Sequence, residues 1–175
     1  MKKYFSGAAA RMLFPVLMAG TALATSACSK DAPPIVVQQD FSAADDATIQ
    51  KYLADKNITN AKKQPSGVYY IPVITNPNGL PATVGRKISV LYTGMLLDGT
   101  VFDATSQRNN TPFVFTLGVG QVIAGWDDGI ALMKKSEKSI LLIPSGKAYG
   151  GNPPPNSVIP ANAVLRFEVE VTNIQ

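Results

Sequence analysis

The stretch that most limits the fold is the last one, VLRFEVEVTNI. Leu165, Phe167, Val169 and Val171 alternate there with Arg166, Glu168, Glu170 and Thr172. A period of two places the apolar set on one side of an extended chain and the polar set on the other. This is a half-buried antiparallel strand with one wet face, and its apolar face needs a covering layer. The segment GWDDGIALM supplies one: Trp126, Ile130 and Met133 recur at i, i+4 and i+7, so a short helix can lay a single apolar face on a sheet.

Other strands are read the same way. SGVYYIPVIT, from Ser66, is a strand that Pro72 confines to an edge or a bulge. RKISVLYTGMLLDGTVFD is a strand leading into a turn at Asp98-Gly99. TPFVFTLG and KSILLIPSG add two more. Upstream, residues 43–56 form a short helix: Ser42 can cap it, Asp45 and Asp46 suit its positive end, and Ile49, Tyr52 and Leu53 share a face. It is too short for a long dimer-forming arm. The class is therefore α+β.

The beginning of the chain reads as a targeting segment. Lys2, Lys3 and Arg11 precede an apolar run from Met12 to Ala24, and ATSAC follows at 24–28. Two cleavages fit. A cut before Cys28 exposes the single cysteine for lipidation and membrane anchoring, with Ser29 suiting an outer-membrane lipoprotein. A cut after Ala24 releases a soluble periplasmic or secreted protein. The expected organisation is a signal peptide at 1–27, a tether at 28–42, a helix and connection at 43–64, and the main domain at 65–175. Of the net charge of +4, three positive charges and no acid lie in the leader, which leaves +1 for the remainder. Nothing in that balance favours nucleic acid.

The chain has no histidine and one cysteine, so Ser-His-Asp and Cys-His nucleophiles and a Cys/His zinc site are excluded. No phosphate-binding glycine loop is present. No metal and no cofactor are expected, and chemistry here must run without a histidine base.

The tracts YTGMLLDGTVFDAT, PFVF, GQVIAGWDDGIALM, AYGG with VIP, and LRFEVE stand in order from Tyr92 to Glu170. Together they resemble FKBP-type peptidyl-prolyl cis-trans isomerases over residues 66–175. The resemblance implies an antiparallel sheet of five to six strands wrapped around one short helix, with an aromatic pocket between them. It assigns catalytic roles to Tyr92, Phe102, Asp103, Tyr149 and Phe167, and substrate-binding roles to Phe113, Val122, Ile123, Trp126 and Ile159. Trp126 becomes the floor under the substrate proline, with Gly125 giving a tight entry to its helix; by itself it would be a plain core tryptophan. Tyr149 would donate to one substrate carbonyl and the Ile123 N–H to another, while Asp103 orients its neighbours and sets local polarity. The expected partners are prolyl-containing polypeptides, together with macrolides of the tacrolimus and rapamycin type, and the chain is expected to be a monomer. A binding module for unfolded chains is the alternative, and an adhesin like the macrophage infectivity potentiator group a weaker one. The proline-dense loop GGNPPPNSVIP at 150–160 departs from the family by lacking a histidine.

Overall fold

The computed structural model describes residues 42–175. The leader, Cys28 and the tether up to residue 41 lie outside the described residues. Helix α1 (Ser42–Asp55) starts one residue before the expected position. The strands are β1 (Lys62–Lys63), β2 (Tyr69–Ile74), β3 (Lys87–Leu96), β4 (Val101–Ala104), β5 (Phe113–Thr116), β6 (Lys138–Ile143) and β7 (Leu165–Ile174), with helix α2 (Ala124–Ile130) between β5 and β6. All pairings are antiparallel, in the order β1-β2-β6-β7-β3-β4, with β5 also on β3.

The sheet thus has seven strands rather than five or six, for two reasons. The two-residue β1 pairs with Tyr69 and Tyr70. Strands β4 and β5 share one edge of β3, taking Thr93–Met95 and Lys87–Val90 respectively. At the break, the hydroxyl of buried Thr105 replaces the missing partner strand. It accepts from Tyr92 N at 3.1 Å and donates to Tyr92 O at 3.2 Å. A lone polar backbone pair inside the sheet would otherwise go unpaired.

Pro72 lies beyond the end of β1, and the register of β2 on β6 shifts between Pro72 and Ile74. A residue without an N–H sits there at little cost, as both an edge and a bulge position. The Asp98-Gly99 turn closes as expected. Gly99 has φ +96°, and Asp98 Oδ1 accepts from Thr100 N at 2.8 Å.

The strands alternate between two cores. Leu165, Phe167, Val169 and Val171 of β7 join Val90, Tyr92, Leu141, Ile143, Trp126, Ile130 and Met133 on one face. On the other, Ile49 and Leu53 of α1 pack with Tyr69, Ile71, Leu142 and Val164. The α1 face read from the sequence therefore has a destination, the sheet side opposite α2.

Helix α2 comes unusually close to β6. A Cβ built on Gly125 would lie 2.2 Å from Ile143 Cγ2, and one on Gly129 would lie 2.7 Å from Leu141 Cδ1. Gly125 is needed for this helix-to-strand approach, and it carries no left-handed backbone that would mark a tight entry.

Candidate active site

Strand β3 sets the first wall. Tyr92 and Gly94 point to the α2 side, and Gly94 has no side chain because the rings of Phe102 and Phe167 occupy that space. A Cβ there would be 2.6 Å from Phe102 Cε2 and 2.7 Å from Phe167 Cε1. The YTG sequence is thus an aromatic followed by the gap into which two further aromatics close.

The rings meet mostly edge to face around Trp126. Its centroid is 4.9 Å from Tyr92 and 5.2 Å from Phe167, at interplanar angles of 85° and 83°. Phe102 stands edge-on to Phe167 at 5.5 Å. Phe113 completes the side at 6.2 Å from Tyr92 and 6.1 Å from Trp126. Such arrangements place the positive edge of one ring against the negative face of another. Phe115, stacked on Phe113, lies 5.8 Å from Trp126 and so belongs to the same group.

Of the residues assigned by resemblance, all but Phe113 and Asp103 belong to or pack against the α2-side core; Phe113 joins it through its ring contacts and Asp103 through the Tyr92 hydroxyl. Trp126, Tyr92, Phe167 and Ile159 are buried members of the cluster, and Phe102, Val122, Ile123 and Tyr149 pack against it half-buried. Phe113 is the most open, 39% exposed at the rim. The loop carrying Val122 and Ile123 is held by the carboxyl of Asp127, which accepts from Gly118 N at 2.8 Å and Gly120 N at 3.3 Å. Gln121 Oε1 also accepts from Thr116 N at 2.7 Å.

The polar side is a three-residue network. The Tyr92 hydroxyl donates to Asp103 Oδ2 in a short hydrogen bond, Arg108 Nη1 donates to Asp103 Oδ1 at 2.8 Å, and Arg108 Nη2 donates to Tyr92 Oη at 2.8 Å. Arg108 is the residue that the sequence reading missed. It follows Asp103 by five positions on a short 3-10 turn, and that spacing is the only signal it gives. Burial, and next the hydrogen bond to Asp103, push the Tyr92 phenol up to about 12. Burial and then the Asp103 charge raise Tyr149 as well, which places Tyr149 within electrostatic reach of that carboxyl.

At the ring cluster the buried indole Nε1 of Trp126, the Tyr149 hydroxyl and the Ile123 N–H each have no hydrogen-bond partner among the described residues. An unmet buried donor costs roughly 1–3 kcal/mol. A ring-lined cleft with a few unmet donors and a fixed phenol–carboxyl–guanidinium network can hold carbonyl groups while leaving the rest of a ligand in apolar surroundings.

A family model described as FKBP-type peptidyl-prolyl cis-trans isomerase matches residues 80–172. The chain is 39% identical over 109 residues to peptidyl-prolyl cis-trans isomerase Fkbp12 of Drosophila melanogaster, covering 62% of this chain and 99% of that one. It is 48% identical over 96 residues to an FK506-binding protein of Neisseria meningitidis serogroup C, covering 55% and 86%. Among solved structures, FkpA from Escherichia coli matches with a TM-score of 0.64 at 31% identity, covering 77% of this chain and 61% of that chain. AtFKBP13 matches with a TM-score of 0.59 at 33% identity, covering 67% and 100%.

Proposed function

The chain belongs to the FKBP-type peptidyl-prolyl cis-trans isomerase family, and from that premise we propose how its cleft works and in which setting. The protein is a peptidyl-prolyl cis-trans isomerase. The peptide bond resists rotation by ~18–20 kcal/mol because resonance gives C–N partial double-bond character. At an X-Pro bond the two isomers differ by only about 0.5–1 kcal/mol, so rate is what the enzyme changes. Twisting the bond removes the resonance and reduces the charge on the carbonyl oxygen. Water hydrogen-bonded to that oxygen therefore favours the planar ground state over the twisted transition state.

Transfer into a ring-lined cleft takes that advantage away. Each ~1.4 kcal/mol of differential stabilisation is worth a factor of ten in rate. Trp126 forms the floor for the proline ring, with Tyr92, Phe102, Phe113, Val122, Ile159 and Phe167 as walls. Tyr149 and the Ile123 N–H bind carbonyls of the flanking chain, so the rotation falls on one bond. Asp103, held by Tyr92 and Arg108, orients the wall, and no proton moves. The single observation that carries this reading is the convergence of these rings on Trp126.

The substrates are prolyl bonds of exported proteins during folding, and the protein acts in the bacterial envelope on a lipid anchor at Cys28. The leader and its lone cysteine support this setting. The site also suits FK506-type macrolides, the ligand class named for the meningococcal relative.

A protease that cleaves only the trans form of an X-Pro peptide measures the rate directly. Phe102→Ala and Asp103→Ala each slow it about tenfold or more, and activity unchanged in both sinks the placement of the pocket. Intact mass after bacterial expression tests the anchor: diacylglycerol mass on a chain beginning at Cys28 supports it, and an unmodified thiol refutes it.

A further inference from the structure

Helix α1 lies outside the residues matched by the family model, yet one of its side chains reaches the site's supporting turn. Asp45 is 5% exposed, and its Oδ2 accepts two hydrogen bonds from Ser145, one from the backbone N–H at 2.8 Å and one from the hydroxyl at 2.7 Å. Ser145, itself 1% exposed, opens the short 3-10 turn that follows β6. Its carbonyl accepts from Ala148 N at 3.0 Å and from Gly150 N at 2.9 Å, the residues on either side of Tyr149. Gly150 O in turn accepts from Asn162 N at 2.7 Å, which closes the loop that carries Ile159.

A buried carboxyl is costly unless hydrogen-bonded, and hydrogen bonds to a carboxylate are about twice as strong as neutral ones. Both of these fall on the residue whose carbonyl fixes the backbone around Tyr149. Helix α1 is itself fixed on the sheet by Ile49 and Leu53, so Asp45 is a rigid post and not a mobile contact.

We propose that Asp45 is a positioning residue for the isomerase, acting through Ser145 to hold Tyr149 against the aromatic cluster. The inference rests on the part assigned to Tyr149 in substrate binding above. It makes α1 a working part of the catalytic unit.

The test uses the full chain, with Michaelis parameters from the protease-coupled assay at a temperature where every variant is folded. Asp45→Ala raises KM about five- to tenfold with little change in kcat, and Ser145→Ala, which keeps the backbone donor, has a smaller effect in the same direction. Asp46→Ala, next on the helix and bonded to Tyr69 and Lys63 instead, leaves KM unchanged and controls for helix docking. Asp45→Ala combined with Tyr149→Phe is no weaker than Tyr149→Phe alone, because both act through one contact. Amide exchange at Ala148 and Gly150 quickens in Asp45→Ala.

Additive losses in the double variant overturn the inference, as does an equal loss in Asp46→Ala. If Tyr149→Phe raises KM while Asp45→Ala does not, only this inference falls. If Tyr149→Phe has no effect, the role of Tyr149 falls and takes this inference with it.

Discussion

Leu141 and Leu142 are neighbours on β6 and equally buried, yet they belong to different cores. Leu141 faces α2 and the ring cluster, and Leu142 faces α1 and a mostly aliphatic seam. The ring side is open at Phe113 and keeps an unpaired indole N–H. On the seam the Tyr69 hydroxyl donates to Asp46 and accepts from Gln50, and Asp45 takes both donors of Ser145, while the buried Nε of Arg166, opposite Leu142, has no partner among the described residues. One sheet thus carries a core covered by α1 on one side and, on the other, a ring core with an unpaired indole N–H and an exposed ring at its mouth. The same strands back both faces, so the shape of the ring side is tied to the packing of the other.

Deleting one large side chain from each face gives the largest contrast. Trp126→Ala lowers stability by ~3–5 kcal/mol, and Leu142→Ala by ~2–5 kcal/mol, in denaturant melts. Activity separates them: kcat/KM falls at least about tenfold in Trp126→Ala and stays within about twofold in folded Leu142→Ala. If folded Leu142→Ala loses as much activity as Trp126→Ala, the division of labour between the faces is wrong.

The next contrast is smaller and concerns close approach. Gly94→Ala drives a methyl into the Phe102 and Phe167 rings, and Gly125→Ala drives one into Ile143. Each costs roughly 1–3 kcal/mol by overpacking. Gly94→Ala also lowers kcat/KM, because the displaced rings are the walls proposed for the substrate. Gly129→Ala meets the movable tip of Leu141 and is milder than Gly125→Ala. Equal melting points for Gly125→Ala and Gly129→Ala count against this ranking.

These positions also mark where reading the sequence stops. The alternation from Leu165 to Thr172 and the spacing of Trp126, Ile130 and Met133 identify strand and helix because periodicity is local. The aromatic residues were legible because their tracts stand in a recognisable order. The Gly94 and Gly125 contacts depend on which strands become neighbours, which no local pattern carries. Thr105 patching β3 at Tyr92, and Arg108 closing on Asp103, depend on the 3-10 turn between β4 and β5. Asp45 is a hundred positions from Ser145, and in the sequence it is only an acid suited to a helix start. The apolar face of α1 could be read, but the side of the sheet it covers could not.

The smallest effect concerns the tyrosines of the two faces as pH rises. Burial first, and the Asp103 hydrogen bond second, hold the Tyr92 phenol at about 12, while Tyr69 on the α1 side is raised by burial and then by Asp46. A phenol raised above its ordinary value of about 10 favours the folded chain while protonated. Its contribution is therefore complete below about pH 10 and is lost as pH climbs through the folded value. Urea midpoints for wild type and Tyr92→Phe, followed from about pH 8 to about pH 12, should converge near the top of that range as the wild type loses what the phenol supplied. Tyr69→Phe provides the same comparison for the sealed face, where activity should not follow the phenol. A constant gap between wild type and Tyr92→Phe across the range would mean that the phenol is not the group losing its proton, and that the network joining Tyr92, Asp103 and Arg108 is looser than its geometry.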